Sequence, residues 1–208
     1  MTESDKIKAF WHWFVHNQST IARAFLSSDD DWLRSEMTPR VLKILPDDHV
    51  GPRINWQIGP GSGTRWQFCL SPLVKKNLPL TRRIALASPH LPDWEILPCK
   101  PPRNSIQYDL VSDDGARHVV PFDKMKYALT QYPGEKFSFD LIGEIPYGVD
   151  VANKKKAAYL IIEGILGEEF VLDHVVDVDL HDLDEFSSEV PTTPLADVKR
   201  HLCQLLQG

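Results

Sequence analysis

The sequence predicts an α+β fold, and three observations carry that prediction. An amphipathic helical stripe opens the chain, apolar residues alternate around turn-rich segments in the middle, and a further helical stripe closes it. The expected order is an N-terminal helical hairpin, two strand-strand-helix-strand units forming a mainly antiparallel sheet, and a C-terminal helix. All 208 residues are read as one domain, a length one core can serve.

Ile7, Phe10, Trp11, Phe14, Gln18, Ile21 and Phe25 return to one side of a helix, with Ser4 available as its cap. After the polar run 27–31, Leu33, Met37, Val41 and Leu45 continue the pattern in a second helix, which Pro39 is expected to kink or restart. From Ile54 the period changes to two. Ile54, Trp56 and Ile58 alternate, glycines at 59, 61 and 63 turn the chain, and Trp66, Phe68 and Leu70 alternate again, which predicts a hairpin. Leu80, Ile84, Ala87 and Leu91 predict a helix, Trp94 and Ile96 a strand, and Pro101-Pro102 a break.

The second half shows a related order. Ile106, Tyr108 and Leu110 predict a strand before the Asp113-Asp114-Gly115 turn, and Phe137, Phe139 and Leu141 predict another. Ala158, Ile161, Ile162, Ile165 and Leu166 then form a helical face that Gly167 ends through a left-handed cap. A last strand follows through Leu172, Val176, Val178 and Leu180. The parallel suggests an internal duplication of 54–98 and 106–182. Thr193-Pro194 reads as a helix start for the stripe of Leu195, Val198, Leu202 and Leu206.

Hydrophobic residues at 42% and charged residues at 25% match a folded globular chain. No window approaches the roughly 18–20 apolar residues of a membrane span, and the charged start lacks the apolar run of a signal peptide, so a cytoplasmic protein is expected. Three widely spaced cysteines, Cys69, Cys99 and Cys203, suit neither a disulfide framework nor a zinc ribbon. A net charge of −6, with basic residues only in short groups, argues against general nucleic-acid binding.

Two stretches, Phe10-Trp11-His12-Trp13-Phe14 with Asn17 and 160–168 ending in Leu166-Gly167-Glu168, resemble a group of bacterial proteins. The group combines an FWxWF-like first helix with a late LGE helix end, separated by a segment like 87–94. The resemblance implies a bacterial source and an α+β fold, and it carries no activity with it.

Among candidate sites, the segment 173–185 has the most suggestive chemistry. A strand there places Asp173, Asp177, Asp179 and His181 on one face, and with His174 these carboxylates and imidazoles are of the types that ligate a divalent metal. A strand with acids turned to solvent reads the same way. Glycines 59, 61 and 63 lack the following helix and Lys-Ser/Thr pair of a phosphate loop. Cys69 lies among apolar alternating residues, and no serine has the Gly-x-Ser-x-Gly elbow.

His12 and His16 stand one turn apart on a helix, and Trp13 falls off the stripe of Phe10 and Phe14. It must therefore meet a second packing surface or face solvent as an anchor. Trp13, His12 and His16 are thus the candidate ligand- or partner-binding residues. The reading that follows is a noncatalytic binding or protein-interaction module that needs no cofactor. Its partner is a protein or small molecule, neither nucleic acid nor membrane, and the amphipathic tail and surplus tryptophans suggest a homodimer. The alternatives are a metal-assisted hydrolase using His174, Asp177, Asp179 and His181, and an immunity-like protein that neutralises a toxin.

Overall fold

Thr2 and Asp5 start the first element. The Thr2 hydroxyl accepts the Asp5 N–H at 3.2 Å, and the Asp5 carboxylate accepts the Thr2 N–H at 3.0 Å. This reciprocal cap satisfies two donors that a helix start leaves open. Helix α1 then runs Glu3–Leu26, so Thr2 takes the capping role expected of Ser4. A computed structural model describes residues 1–208 except 47–48, 104–108, 112–116, 120–123, 146–148, 185, 188 and 208. For residues 109–111 and 117–119 it describes the backbone alone.

Asp29 caps α2 (Asp30–Ile44) by accepting the Trp32 N–H at 3.1 Å. The helix continues through Pro39 as one element, where a kink or restart was expected. Proline removes one backbone hydrogen bond there. Leu33, Met37, Val41 and Ile44 are buried in the same cluster as α1, and that packing holds the helix across the gap.

Strands β1 (Asn55–Pro60) and β2 (Trp66–Ser71) form the expected antiparallel hairpin, with Trp56 opposite Leu70 and Ile58 opposite Phe68. Glu95 braces its turn, accepting the Ser62 N–H at 3.1 Å and the Gln67 side-chain amide at 3.2 Å. A 3₁₀ turn at Lys75–Asn77 leads into α3 (Leu78–Leu86), and the chain returns as β3 (Trp94–Leu97), parallel to β2. Leu91, expected in the helix, is buried beyond its end. The aromatic stripe of α1 packs on this sheet. Phe14 lies 5.2 Å from Phe68 and 5.0 Å from Trp94 between ring centres, and the Trp11 indole donates to the Ile84 carbonyl at 2.8 Å.

After Pro101-Pro102 come β4 (Asp109–Val111) and β5 (Arg117–Val119), an antiparallel pair. The expected strand positions Ile106 and Tyr108 and the turn at 113–115 lie outside the described residues. Strands β6 (Lys126–Tyr132) and β7 (Lys136–Gly143) pair antiparallel, and α4 (Val151–Leu166) and α5 (Glu168–His174) follow. Strand β8 (Val175–Asp182) then lies parallel to β7. Leu172, expected in this strand, belongs to α5. Thr193–Pro194 forms a short strand, β9, on β6, in place of a helix start. Helix α6 runs Val198–Gln207.

The fold is α+β. Its larger sheets, ordered β1-β2-β3 and β8-β7-β6-β9, are both mixed, each holding an antiparallel hairpin and one parallel pairing reached through helix. Where one core was expected, the buried side chains form two clusters with no shared member. The chain divides accordingly into two units, Met1–Lys100 and Pro101–Gly208. The first carries 13 Lys and Arg against 10 Asp and Glu, a formal +3; the second carries 10 against 19, a formal −9. Among the described residues no helix is long and apolar enough to cross a membrane.

Gly167 separates α4 from α5 at φ 87° and ψ 153°, a conformation essentially restricted to glycine and distinct from the left-handed cap expected. A Cβ there would also stand 2.9 Å from Cδ of Pro102. Gly167→Ala should therefore destabilise the second unit by about 1–3 kcal/mol, measured by urea unfolding. Phe14 is wholly buried, so Phe14→Ala should cost about 3–5 kcal/mol in the first unit.

A cation-rimmed aromatic groove on the first unit

Helical spacing brings Lys6, Ala9, Phe10 and Trp13 to one side of α1, and Arg40 and Lys43 come from the last turns of α2. Together with Met1 they line a groove of about 240 Å³. Its floor is aromatic and its rim carries three cations. The Arg40 guanidinium carbon sits 4.4 Å from the centre of the Trp13 ring, within range of a cation–π attraction of about 0.5–1 kcal/mol. Arg40 also pairs with Glu36 at 2.9 Å, and Lys6 donates to the Leu45 carbonyl at 3.0 Å. These bonds hold Arg40 and Lys6 at the groove.

Trp13 is half-buried and packs against the first core, with Phe10 6.3 Å away between ring centres. Both outcomes foreseen for it meet in one place, since α2 covers part of the ring and the groove exposes the rest. The Asn17 amide donates to the Trp13 carbonyl at 2.8 Å. His12 and His16 are exposed, their rings inclined at 38° with centres 4.3 Å apart, and the His16 Nδ1 donates to the His12 carbonyl at 2.7 Å. They lie beside the groove on α1 and are not among its lining residues. Lys6, Arg40 and Lys43 are the members the sequence reading missed. Nothing in the spacing of α2 announces that Arg40 meets a residue 27 positions earlier.

The acidic-histidine segment is not gathered into a coordination shell. His174 ends α5 and its Nδ1 lies 2.9 Å from the Glu135 carbonyl, whereas His181 pairs with Asp140 at 2.9 Å. At about 3.3 Å per strand residue, His181 stands on the order of 20 Å along β8 from Val175. One ion cannot hold both. Asp173 is helical, so it leaves the strand face expected for it. Asp177 and Asp179 share Lys155 at 2.9 and 3.4 Å, and the Lys155 hydrogen bond holds the Asp177 carboxyl below its usual range. Among the described residues no group of three His, Cys, Asp or Glu side chains is placed to hold a metal.

Cys69 is wholly buried in β2; Gly59 lies within β1, and Gly61 and Gly63 lie in the hairpin turn. Among the described residues, Tyr127 on β6 is a strongly perturbed titrating group with a polar partner. It is buried, its hydroxyl lies 2.6 Å from His201 Nδ1 on α6, and burial, aided by the nearby Asp197 charge, pushes its pKa up to about 12. The pair ties the last helix to the sheet.

No family model, curated protein or solved structure matches the chain.

Tyr127 gives a test with a definite sign. An unfolded tyrosine ionises near pH ~10, so between about 10 and 12 the folded chain keeps a proton that the unfolded chain releases. This contribution is complete below pH ~10 and is lost as pH climbs toward 12. Urea unfolding at pH 9, 10 and 11 should show wild-type stability falling more steeply than that of Tyr127→Phe, by about 1–1.5 kcal/mol between the first and last of these.

Proposed function

We propose that the chain is a noncatalytic protein-interaction module whose groove between α1 and α2 takes an acidic, apolar-flanked segment of a partner protein. The observation that carries this reading is Arg40 held over the Trp13 ring with Lys6 and Lys43 on the same rim. An aromatic floor supplies apolar contact, and the cations reward a carboxylate placed at its edge. Size supports a protein partner over a cofactor. Small-molecule sites usually enclose about 300–1,000 Å³, and about 240 Å³ suits one or two side chains. Trp and Arg are also the residue types that most often dominate binding at interfaces.

A panel of fluorescent peptides carrying Glu or Asp beside Leu or Phe, with Lys-substituted controls, tests the reading by anisotropy. Acidic peptides should bind more tightly than the controls, weaken as salt rises, and lose at least tenfold in affinity on Arg40→Gln with Lys43→Glu. Equal binding of acidic and basic peptides, or indifference to the double substitution, would sink it.

A second reading rests on the formal −9 of residues 101–208, which favours a strongly basic target, as a toxin-neutralising protein requires. Protection of a basic nuclease or similar target, lost when acidic residues of 173–184 are neutralised and kept in Arg40→Gln with Lys43→Glu, would select this reading over the groove.

A further inference from the structure

Strand β1 is the outer strand of its sheet, and among the described residues no other strand pairs with its outward side. An open edge offers unpaired N–H and C=O groups to any passing chain, and folded proteins usually protect such edges with charge. The other outer strands with several residues follow that habit: β8 carries Asp177, Asp179 and Asp182, and β3 carries Glu95. Strand β1 does not. Asn55, Trp56, Gln57, Ile58, Gly59 and Pro60 contain no charge, and only the last is a proline.

Beside this edge lies a second cavity, of about 440 Å³, between β1 and the helices. Phe25, Leu33, Trp56 and Ile58 give it apolar walls, and Asp30 and Arg34 of α2 stand on it. The Trp56 indole donates to the Thr38 hydroxyl at 3.1 Å, which fixes that wall. Asp30 and Arg34 are exposed, and neither is ion-paired among the described residues.

We propose that β1 is the seam of a two-fold homodimer, in which β1 of a second copy pairs antiparallel with it and joins two three-stranded sheets into one. The charges select a second copy over a foreign peptide. In a two-fold interface residue i of one protomer faces residue j of the other, and j faces i in return. Asp30 and Arg34 are one helical turn apart with opposite sign, so such an axis satisfies both charges twice. An acidic or a basic foreign segment would meet repulsion from one of them. An uncharged strand also brings no like charges together when it pairs with itself.

Sedimentation velocity of the full chain from low to high micromolar concentration should show a monomer–dimer equilibrium. Gln57→Lys, which places a charge within the edge, should weaken dimerisation at least tenfold with the circular dichroism of the monomer unchanged. Asp30→Arg and Arg34→Asp should each weaken it, and the double swap should restore it. Independently of folding losses in those variants, single cysteines at Asn55, Gln57 and Gly59 in a Cys203→Ser background should yield an inter-chain disulfide from at least one position. A monomeric mass at every concentration, a dimer indifferent to Gln57→Lys, or a double swap that fails to rescue would each overturn the proposal.

Discussion

The seating of the α1 aromatic stripe on β2 is the contact on which the first unit depends. Phe10, Trp11 and Phe14 all lie within 6.1 Å of Phe68 between ring centres, and Phe14 also meets Trp94 on β3. Each such ring pair adds about 0.5–1.5 kcal/mol beyond the area it buries. The stripe therefore fixes the rotation of α1 about its own axis. With Phe14 inward, Trp13 is turned toward α2, and the groove takes its floor from that rotation. The Trp11 indole adds a directional constraint, because its bond to the Ile84 carbonyl holds α1 against α3 at one height.

Electrostatics differs sharply between the two halves of the sequence. The first has a small positive excess, three of whose cations line a groove with a half-buried tryptophan, while the second has a large negative excess. Some of that negative charge is met locally, as when Lys155 reaches both Asp177 and Asp179. A strand with acids alternating outward then serves to protect an outer edge, and β8 fits that description better than it fits a coordination site.

The elements with strong periodicity were legible in the sequence. The α1 stripe, the hairpin of the alternating runs through Trp56 and Ile58 and through Trp66, Phe68 and Leu70, the α4 face, and the strand through Phe137, Phe139 and Leu141 all follow from spacing, while the hairpin's register does not. Strand β6 was missed because its burial is uneven, with Tyr127 and Ala128 both buried and Gln131 and Tyr132 exposed, which blurs a period of two. Pro39 misled because a local penalty was outweighed by tertiary packing that the local sequence does not show. The candidate site was half legible. Trp13 stood out by falling off its own stripe, whereas Lys6, Arg40 and Lys43 gain meaning only once two helices are docked. The metal-like spacing at 173–181 failed for a related reason, since a helix ending at His174 breaks the run that a single strand would have aligned.

The break at Gly167 also governs how the second unit closes on itself. At about 1.5 Å per residue, the 16 residues of α4 span about 24 Å, close to the roughly 26 Å covered by the 8 residues of β7. Were α4 and α5 one unbroken rod from Val151 to His174, it would extend about 36 Å and overshoot the strand it must return beside. A residue able to turn where others cannot thus acts as a ruler: it trims the return path to the length of the sheet and brings Val175 down opposite Phe137, where the parallel pairing begins.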